Sequence, residues 1–322
     1  MREDDKPMLV CISVNPAIDK RICLARLAPG HVNRASEVRA AAGGKAAHVA
    51  MVLHRLGAEP LWIGFAGGAS GQELLAGLGE LNIPTVPVPM KNATRSNLEI
   101  IDEQGVVTEI LEPGAAVSLE ECQTFQSACD AVFKKGKDVV TAILSGSLPP
   151  AVPPEFYASL IERVHDCGGK AFLDTSGEPL KKALKASPDF VKPNREEAEW
   201  LTGKPIQDTK AAAAAITQMI SEGAKSVAIS LGPDGLVWKP LKSDFIYHAR
   251  ASRVPARSAV GSGDATVAGF AFAAEKRLGA DDSLKLAVAC GAANCLADLP
   301  GQLSASEVQR MRELVNIETV IP

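Results

Sequence analysis

Apolar positions along this chain follow two periods. The run Met8-Leu-Val-Cys-Ile-Ser-Val14 is short, continuous and apolar, as in a strand buried on both faces. Pro60-Leu-Trp-Ile-Gly-Phe65 reads the same way, between helices Ala46 to Leu56, closed by Gly57, and Gly71 to Leu81. From about residue 118 the alternation becomes regular. Helix Leu119 to Lys134 leads to strand Val139 to Leu144, and helix Pro154 to His165 to strand Lys170 to Leu173. A helix around Glu178 to Leu184 leads to Phe190-Val191, and helices Arg195 to Leu201 and Thr209 to Ser221 lead to strand Ser226 to Leu231. Two apolar helices follow, Ser283 to Leu296 and Ser304 to Leu314. Strands alternating with helices specify an α/β fold, a three-layer αβα sandwich whose central sheet is mostly parallel.

Two stretches break this rhythm. Residues 20–42 and 84–112 carry short β-rich segments separated by Pro29-Gly30 and by the hairpin loop Asp102-Glu-Gln-Gly105. They predict a small separate sheet of antiparallel strands, inserted into one domain that spans 1–322.

The strand ends are where polar chemistry collects. Open α/β sheets bind ligands beyond the carboxyl ends of their strands. Asp19 follows the first strand, as a ligand group or a turn residue. Gly43-Gly-Lys45 opens a helix and suits an anion or a hydroxyl. Arg95 and Asn97 begin a strand of the second excursion; an arginine there can grip a phosphate and an asparagine a hydroxyl. Ser145-Gly-Ser147, Asp174-Thr-Ser-Gly177, Lys192-Pro-Asn194 and Ser230-Leu-Gly-Pro-Asp-Gly235 end four successive strands. Ser258 to Phe270 places Gly261, Ser262 and Gly263 before Asp264 and a run of small apolar residues. That stretch reads as a helix N-cap, or as an anion-binding turn beside a carboxylate base.

Composition narrows the classes. Net charge is −4 and aromatic residues make up 4% of the 322 positions, which argues against a nucleic-acid partner. No apolar run reaches membrane-spanning length, and the charged Met1 to Lys6 with the short run behind it does not read as a signal segment. Seven cysteines without C-x-x-C spacing fit a reduced, cytoplasmic setting. The Gly-Lys pairs at 44, 136, 169 and 203 are not followed by Ser or Thr, so no Walker A loop is present. The five histidines lack compact zinc spacing.

The motifs, taken in order from Met8 to about Leu314, resemble the PfkB (ribokinase-like) family of sugar kinases, in particular its 1-phosphofructokinase and tagatose-6-phosphate kinase branch. Asn15-Pro-Ala-Ile-Asp19, Ala42-Gly-Gly-Lys45 with Val49-Ala50, Thr94-Arg-Ser-Asn97, Val191-Lys-Pro-Asn194 with Glu197, and Val260-Gly-Ser-Gly-Asp264 with Ala268-Gly269 carry the likeness. The resemblance implies a ribokinase-like fold with a β-sheet lid, often paired with its twin in a homodimer. It implies phosphorylation of a ketohexose phosphate, fructose 1-phosphate or tagatose 6-phosphate, by ATP with Mg²⁺. Asp264 would be the base and Gly261, Ser262 and Gly263 the anion hole. Asp19, Gly43, Gly44, His48 and Asn97 would meet sugar hydroxyls, with Lys45 and Arg95 near the substrate phosphate. Lys192, Asn194, Ser230, Gly232 and Gly235 would line the nucleotide, Asn294 would lie near adenine, and Glu197 would place Mg²⁺ through water. At two positions the family's Gly-Gly-Lys-Gly-x-Asn-Val-Ala signature is broken: Ala46 replaces a glycine and His48 the asparagine. A histidine can donate or accept one hydrogen bond to a sugar there. A kinase for another sugar or nucleoside, and a non-catalytic sugar-phosphate sensor, are the alternative readings.

Overall fold

The first strand shows why the sheet is central. Strand β1 (Met8–Ser13) sends Val10 and Ile12 into one apolar cluster and Leu9 and Cys11 into another, so both of its faces are covered. The structure, a computed structural model, describes residues 8–135, 140–252 and 255–320. Met1 to Lys6, the Gly-Lys pair at 136 and Val139, the expected start of a strand, lie outside the described residues.

In chain order the strands are β1, β2 (Ala17–Leu24), β3 (Glu37–Gly43), β4 (Leu61–Ala66), β5 (Thr85–Pro89), β6 (Arg95–Asp102) and β7 (Val107–Leu111). They continue with β8 (Val140–Ser145), β9 (Lys170–Asp174), β10 (Phe190–Val191), β11 (Val227–Ser230), β12 (Leu236–Lys239), β13 (Ile246–Ala251) and β14 (Val315–Val320). The main sheet runs β14-β13-β12-β11-β10-β9-β8-β1-β4-β5. It is parallel from β11 through β5 and antiparallel from β11 through β14. Helices α1 (Lys45–Arg55), α2 (Gly68–Glu80), α8 (Ser262–Glu275), α9 (Ala280–Asn294) and α10 (Ala305–Glu313) pack on one face. Helices α3 (Leu119–Lys135), α4 (Phe156–Asp166), α5 (Gly177–Leu184), α6 (Arg195–Thr202) and α7 (Thr209–Ser221) pack on the other. This is the expected three-layer α/β sandwich.

The small sheet has the order β3-β2-β6-β7. Its centre pairs β2 with β6 in parallel, Asp19 opposite Asn97, where only antiparallel pairing was expected. The second excursion also begins later than expected. Thr85–Pro89 joins the main sheet beside β4, with Val88 buried in the core beneath α3. Pro87 and Pro89 lack the donors a central strand needs, and an edge strand tolerates them.

Small residues bring α8 against α9. A Cβ on Gly269 would lie 2.6 Å from Ala287 Cα, a backbone atom that cannot step aside. Gly269→Leu is therefore expected to cost about 1–3 kcal/mol or more through overpacking, read as a lower urea midpoint; an unchanged midpoint would show that the two helices are not in this register.

Candidate active site

The parallel sheet delivers its polar strand ends to one edge. Ser145 and Asp174 are register partners at the ends of β8 and β9, Lys192 follows β10, and Ser230 ends β11. The lid brings Asp19 and Asn97 over the same edge from β2 and β6. Between them opens a cleft of about 1270 Å³, above the roughly 300–1,000 Å³ of a single small-ligand pocket. Two ligands fit. Lys192, Asn194, Ser230, Gly232 and Gly235 line one part; Asp19, Gly44, Arg95 and Asn97 line another.

Helix α8 begins between these two parts. Gly261 is its N-cap, with φ +78°, a left-handed conformation that glycine adopts without strain. Ser262, Gly263 and Asp264 form the first turn, whose N–H groups lack intrahelical acceptors and favour an anion. The Ser262 N–H is engaged by the Ala259 carbonyl, at 3.1 Å. Asp264 is inside the helix and makes no capping hydrogen bond. The residue is 5% exposed and borders the cleft. Of the two readings of this stretch, the cap belongs to Gly261.

Two charge clusters flank Asp264. In the first, Asp174 is fully buried between Lys45, 3.0 Å from its Oδ2, and Lys192, 3.4 Å from its Oδ1. Burial alone would raise the Asp174 carboxyl; the Lys192 and Lys45 ammoniums overcome it and hold the pKa below the usual carboxylate range. Burial would likewise lower Lys45, but Asp174 and Asp264 raise it. Lys45 Nζ lies 3.9 Å from Asp264 Oδ1. In the second cluster, His48 bridges Asp264 Oδ2 and Asp19 Oδ2, each at 2.8 Å. Burial would depress the imidazole, yet hydrogen bonds and charge from both carboxylates push it up to about 10. Asp19 is shifted upward by burial and, more strongly, downward by His48, Asn97 and the Gly44 N–H, so its pKa is low. A Cβ on Gly43 would sit 2.3 Å from the Asp19 carboxylate, so glycine there is what lets Asp19 take this place.

Several expected roles change. Both ring nitrogens of His48 are occupied by carboxylates, so it has none to offer a sugar hydroxyl. Lys45 meets Asp174 and Asp264 while lining the cleft. Asn294, 2% exposed, does not face a base: its Nδ2 donates to the Val260 carbonyl and its Oδ1 accepts the Gly301 N–H. A buried amide needs such partners, and these fix the backbone just before the anion turn. Glu197 and Asn194 form a capping box for α6, which takes up one Glu197 oxygen and the Asn194 side-chain oxygen. Arg95 donates to the Glu112 carbonyl, and its Nε is buried without a partner.

Asp174 is a site residue that the sequence motifs single out only as the end of a strand. Its signal was a charged residue closing an apolar strand. The lid-to-core link was not foreseen: Arg21 of β2 pairs with Glu99 of β6 at 2.7 Å, Ser258 donates to Glu99, and Arg21 donates to the Asp298 carbonyl. Asp19 and Arg21 alternate on one strand, which puts both on the cleft-facing side.

A sheet edge with polar strand ends, a small sheet over it, and a carboxylate in the first turn of a glycine-started helix between them form a site suited to phosphoryl transfer to a small molecule. The chain belongs to the pfkB family of carbohydrate kinases, whose model matches residues 9–303. It is 37% identical over 269 residues to a 1-phosphofructokinase of Xanthomonas campestris pv. campestris, covering 82% of this chain and 83% of that protein. It is 31% identical over 313 residues to a tagatose-6-phosphate kinase of Staphylococcus epidermidis, covering 96% and 99%. The fold superposes with a TM-score of 0.86 on phosphofructokinase-2 of Escherichia coli in complex with fructose-6-phosphate, at 26% identity, covering 96% of this chain and 98% of that one.

Proposed function

We propose that this chain acts as one PfkB-type unit that transfers the γ-phosphoryl group of ATP to a hydroxyl of a ketohexose phosphate, fructose 1-phosphate or tagatose 6-phosphate. The observation that carries this reading is Asp264, in the first turn of α8 on the cleft wall, whose Oδ2 is bonded to His48 while Oδ1 lies 3.9 Å from Lys45 Nζ. Asp264 takes the hydroxyl proton; the sugar oxygen forms its bond to phosphorus as the bond to the ADP oxygen breaks. The α8 turn supports the charge on the transferring group. Lys192, Asn194, Ser230, Gly232 and Gly235 hold the nucleotide. Asp19, Gly44 and Asn97 hold the sugar.

Mg²⁺ suits this donor set. Glu197 keeps one oxygen outside its capping box on the cleft wall, and among the described residues no group of three or more His, Cys, Asp or Glu forms a cage. Mg²⁺ binds through a carboxylate, water and substrate phosphates, where it would neutralise phosphate charge.

Arg95 supports a phosphorylated acceptor, because it lines the sugar part of the cleft beside Asn97 and a guanidinium is suited to phosphate oxygens. Arg95→Ala is expected to raise KM for the phosphosugar about 10- to 100-fold, the loss of one charge-assisted contact. Turnover of free fructose or tagatose should stay as it was, and an equal loss for free and phosphorylated sugars would remove Arg95 from the phosphate site. The lid also presents Val38, Val106, Ile110 and Leu111 to solvent, an apolar face suited to pairing with a second copy as a homodimer. The setting proposed is the cytoplasm, where ATP and sugar phosphates are available; among the described residues no helix is long and apolar enough to cross a membrane.

A further inference from the structure

His48 occupies a place that the proposed reaction does not by itself require. It sits in the first turns of α1, 5% exposed, with its N–H bonded to the Gly44 carbonyl at 3.1 Å. Nδ1 is 2.8 Å from Asp264 Oδ2 and Nε2 is 2.8 Å from Asp19 Oδ2. A neutral imidazole has one N–H and one bare nitrogen. Facing two carboxylates, a neutral ring would set a lone pair against a lone pair at hydrogen-bond distance. Asp19 is further tied as an ionised group, since it also accepts Asn97 Nδ2 at 2.9 Å and the Gly44 N–H at 3.3 Å. A proton on Asp264 would leave the site without a base. The arrangement closes with both ring nitrogens protonated.

We propose that His48 is a positioning residue: a doubly hydrogen-bonded imidazolium that holds Asp264 by Oδ2, leaves Oδ1 free for the acceptor hydroxyl, and ties the base to Asp19 on the lid. The inference rests on Asp264 being the base of the proposed reaction. His48 keeps both of its protons throughout, and the hydroxyl proton goes to Asp264 Oδ1. The charged groups around the ring are Asp19 from β2, Asp264 from α8 and, beyond Asp264, Lys45 from its own helix, which is paired more closely with Asp174. The link joins the strand that meets the sugar to the helix that carries the base. A lid that shifts Asp19 therefore turns Asp264 as well. A group with neither ring nitrogen free cannot read a sugar hydroxyl directly, so its contribution falls on kcat more than on KM, which it touches only through Asp19.

The test has two arms. In the first, ¹⁵N NMR of the imidazole groups in the intact protein at pH 8 is compared with that of His48→Gln, which assigns the His48 resonances. The expected result is that both His48 nitrogens carry protons at a pH where an ordinary histidine is neutral. One protonated and one bare nitrogen would overturn the proposal. In the second arm, His48→Gln and His48→Asn are assayed with MgATP and the ketohexose phosphate that serves best. The expected result is a loss in kcat of about 100-fold, the scale of a misoriented reacting group, with KM changed far less. The acid limb of the pH profile should also move to higher pH, because the paired carboxylates lose their cation. Wild-type kcat in both variants, a loss confined to KM, or an unmoved acid limb would overturn it. If no sugar phosphate is turned over, the kinase reading fails while the NMR arm still decides the state of His48. If the NMR arm fails, phosphoryl transfer by Asp264 stands on its own variants.

Discussion

Asp264→Asn is expected to lower kcat by about 100- to 10,000-fold, the range for a positioned general base, and to leave binding of both substrates nearly unchanged. The substitution keeps the shape of the side chain, and its amide oxygen can still accept from His48 Nδ1, now 2.8 Å from Asp264 Oδ2. What it removes is the capacity to take up the hydroxyl proton. Capping of α8 is untouched, because Gly261 and not Asp264 is the N-cap, but the buried charge opposite His48 is lost, so a lower urea midpoint should accompany the loss of kcat. Coupled detection of ADP together with isothermal titration of each ligand separates the two effects. Turnover near the wild-type rate in Asp264→Asn would place the base elsewhere.

Asp174→Ala is expected to have the largest effect on folding. The carboxylate is wholly buried and counters two ammoniums, and Lys192 is itself 2% exposed. Truncating one partner of a buried pair leaves the other charge uncompensated, at a cost of about 3–5 kcal/mol. The pH dependence follows from the direction of the shift. The folded-state pKa of Asp174 is lowered, so its contribution is complete above the unfolded value, about 3.9, and is lost as pH falls through the folded value. Urea unfolding should therefore show a wide gap between wild type and Asp174→Ala at neutral pH that narrows in acid below about pH 4. A gap that widens as the pH falls would contradict a depressed carboxyl. Nucleotide affinity should fall as well, because Lys192 lies beside the nucleotide end of the cleft and a Cβ on Gly263 would be 3.3 Å from its Nζ.

The parts of the fold that were legible are those whose signal is local. Continuous apolar runs such as Leu9 to Val14 belong to strands covered on both faces, and helices such as Thr209–Ser221 have their own caps and period. The strand ends could be placed on one edge because parallel order forces it. Strands β12, β13 and β14 went unread. They flank the antiparallel margin of the sheet, and β14 buries only its two ends, so its residues carry no clear alternation. Thr85–Pro89 was assigned to the lid because short β-rich segments look alike, and only its pairing with β4 distinguishes it. Asp19, Asn97 and the Gly261–Asp264 turn lie on the cleft wall, where strand-end and helix-start positions put them. The His48 bridge was not legible, since Asp264 is 216 residues away along the chain and only the packing of α1 against α8 brings them together. Asn294 misled for a related reason: a polar residue amid small apolar neighbours can face a ligand or satisfy backbone groups, and here the Val260 carbonyl and the Gly301 N–H are its partners.

The most direct measurement of the central claim is ADP formation by one purified preparation with MgATP across fructose 1-phosphate, tagatose 6-phosphate, free fructose, free tagatose and a nucleoside, run in parallel with Asp264→Asn. Rapid ADP release with one of the ketohexose phosphates, little with the free sugars or the nucleoside, and none above background in Asp264→Asn is the predicted result. Binding of the sugar phosphates without turnover, or turnover that survives in Asp264→Asn, would contradict it.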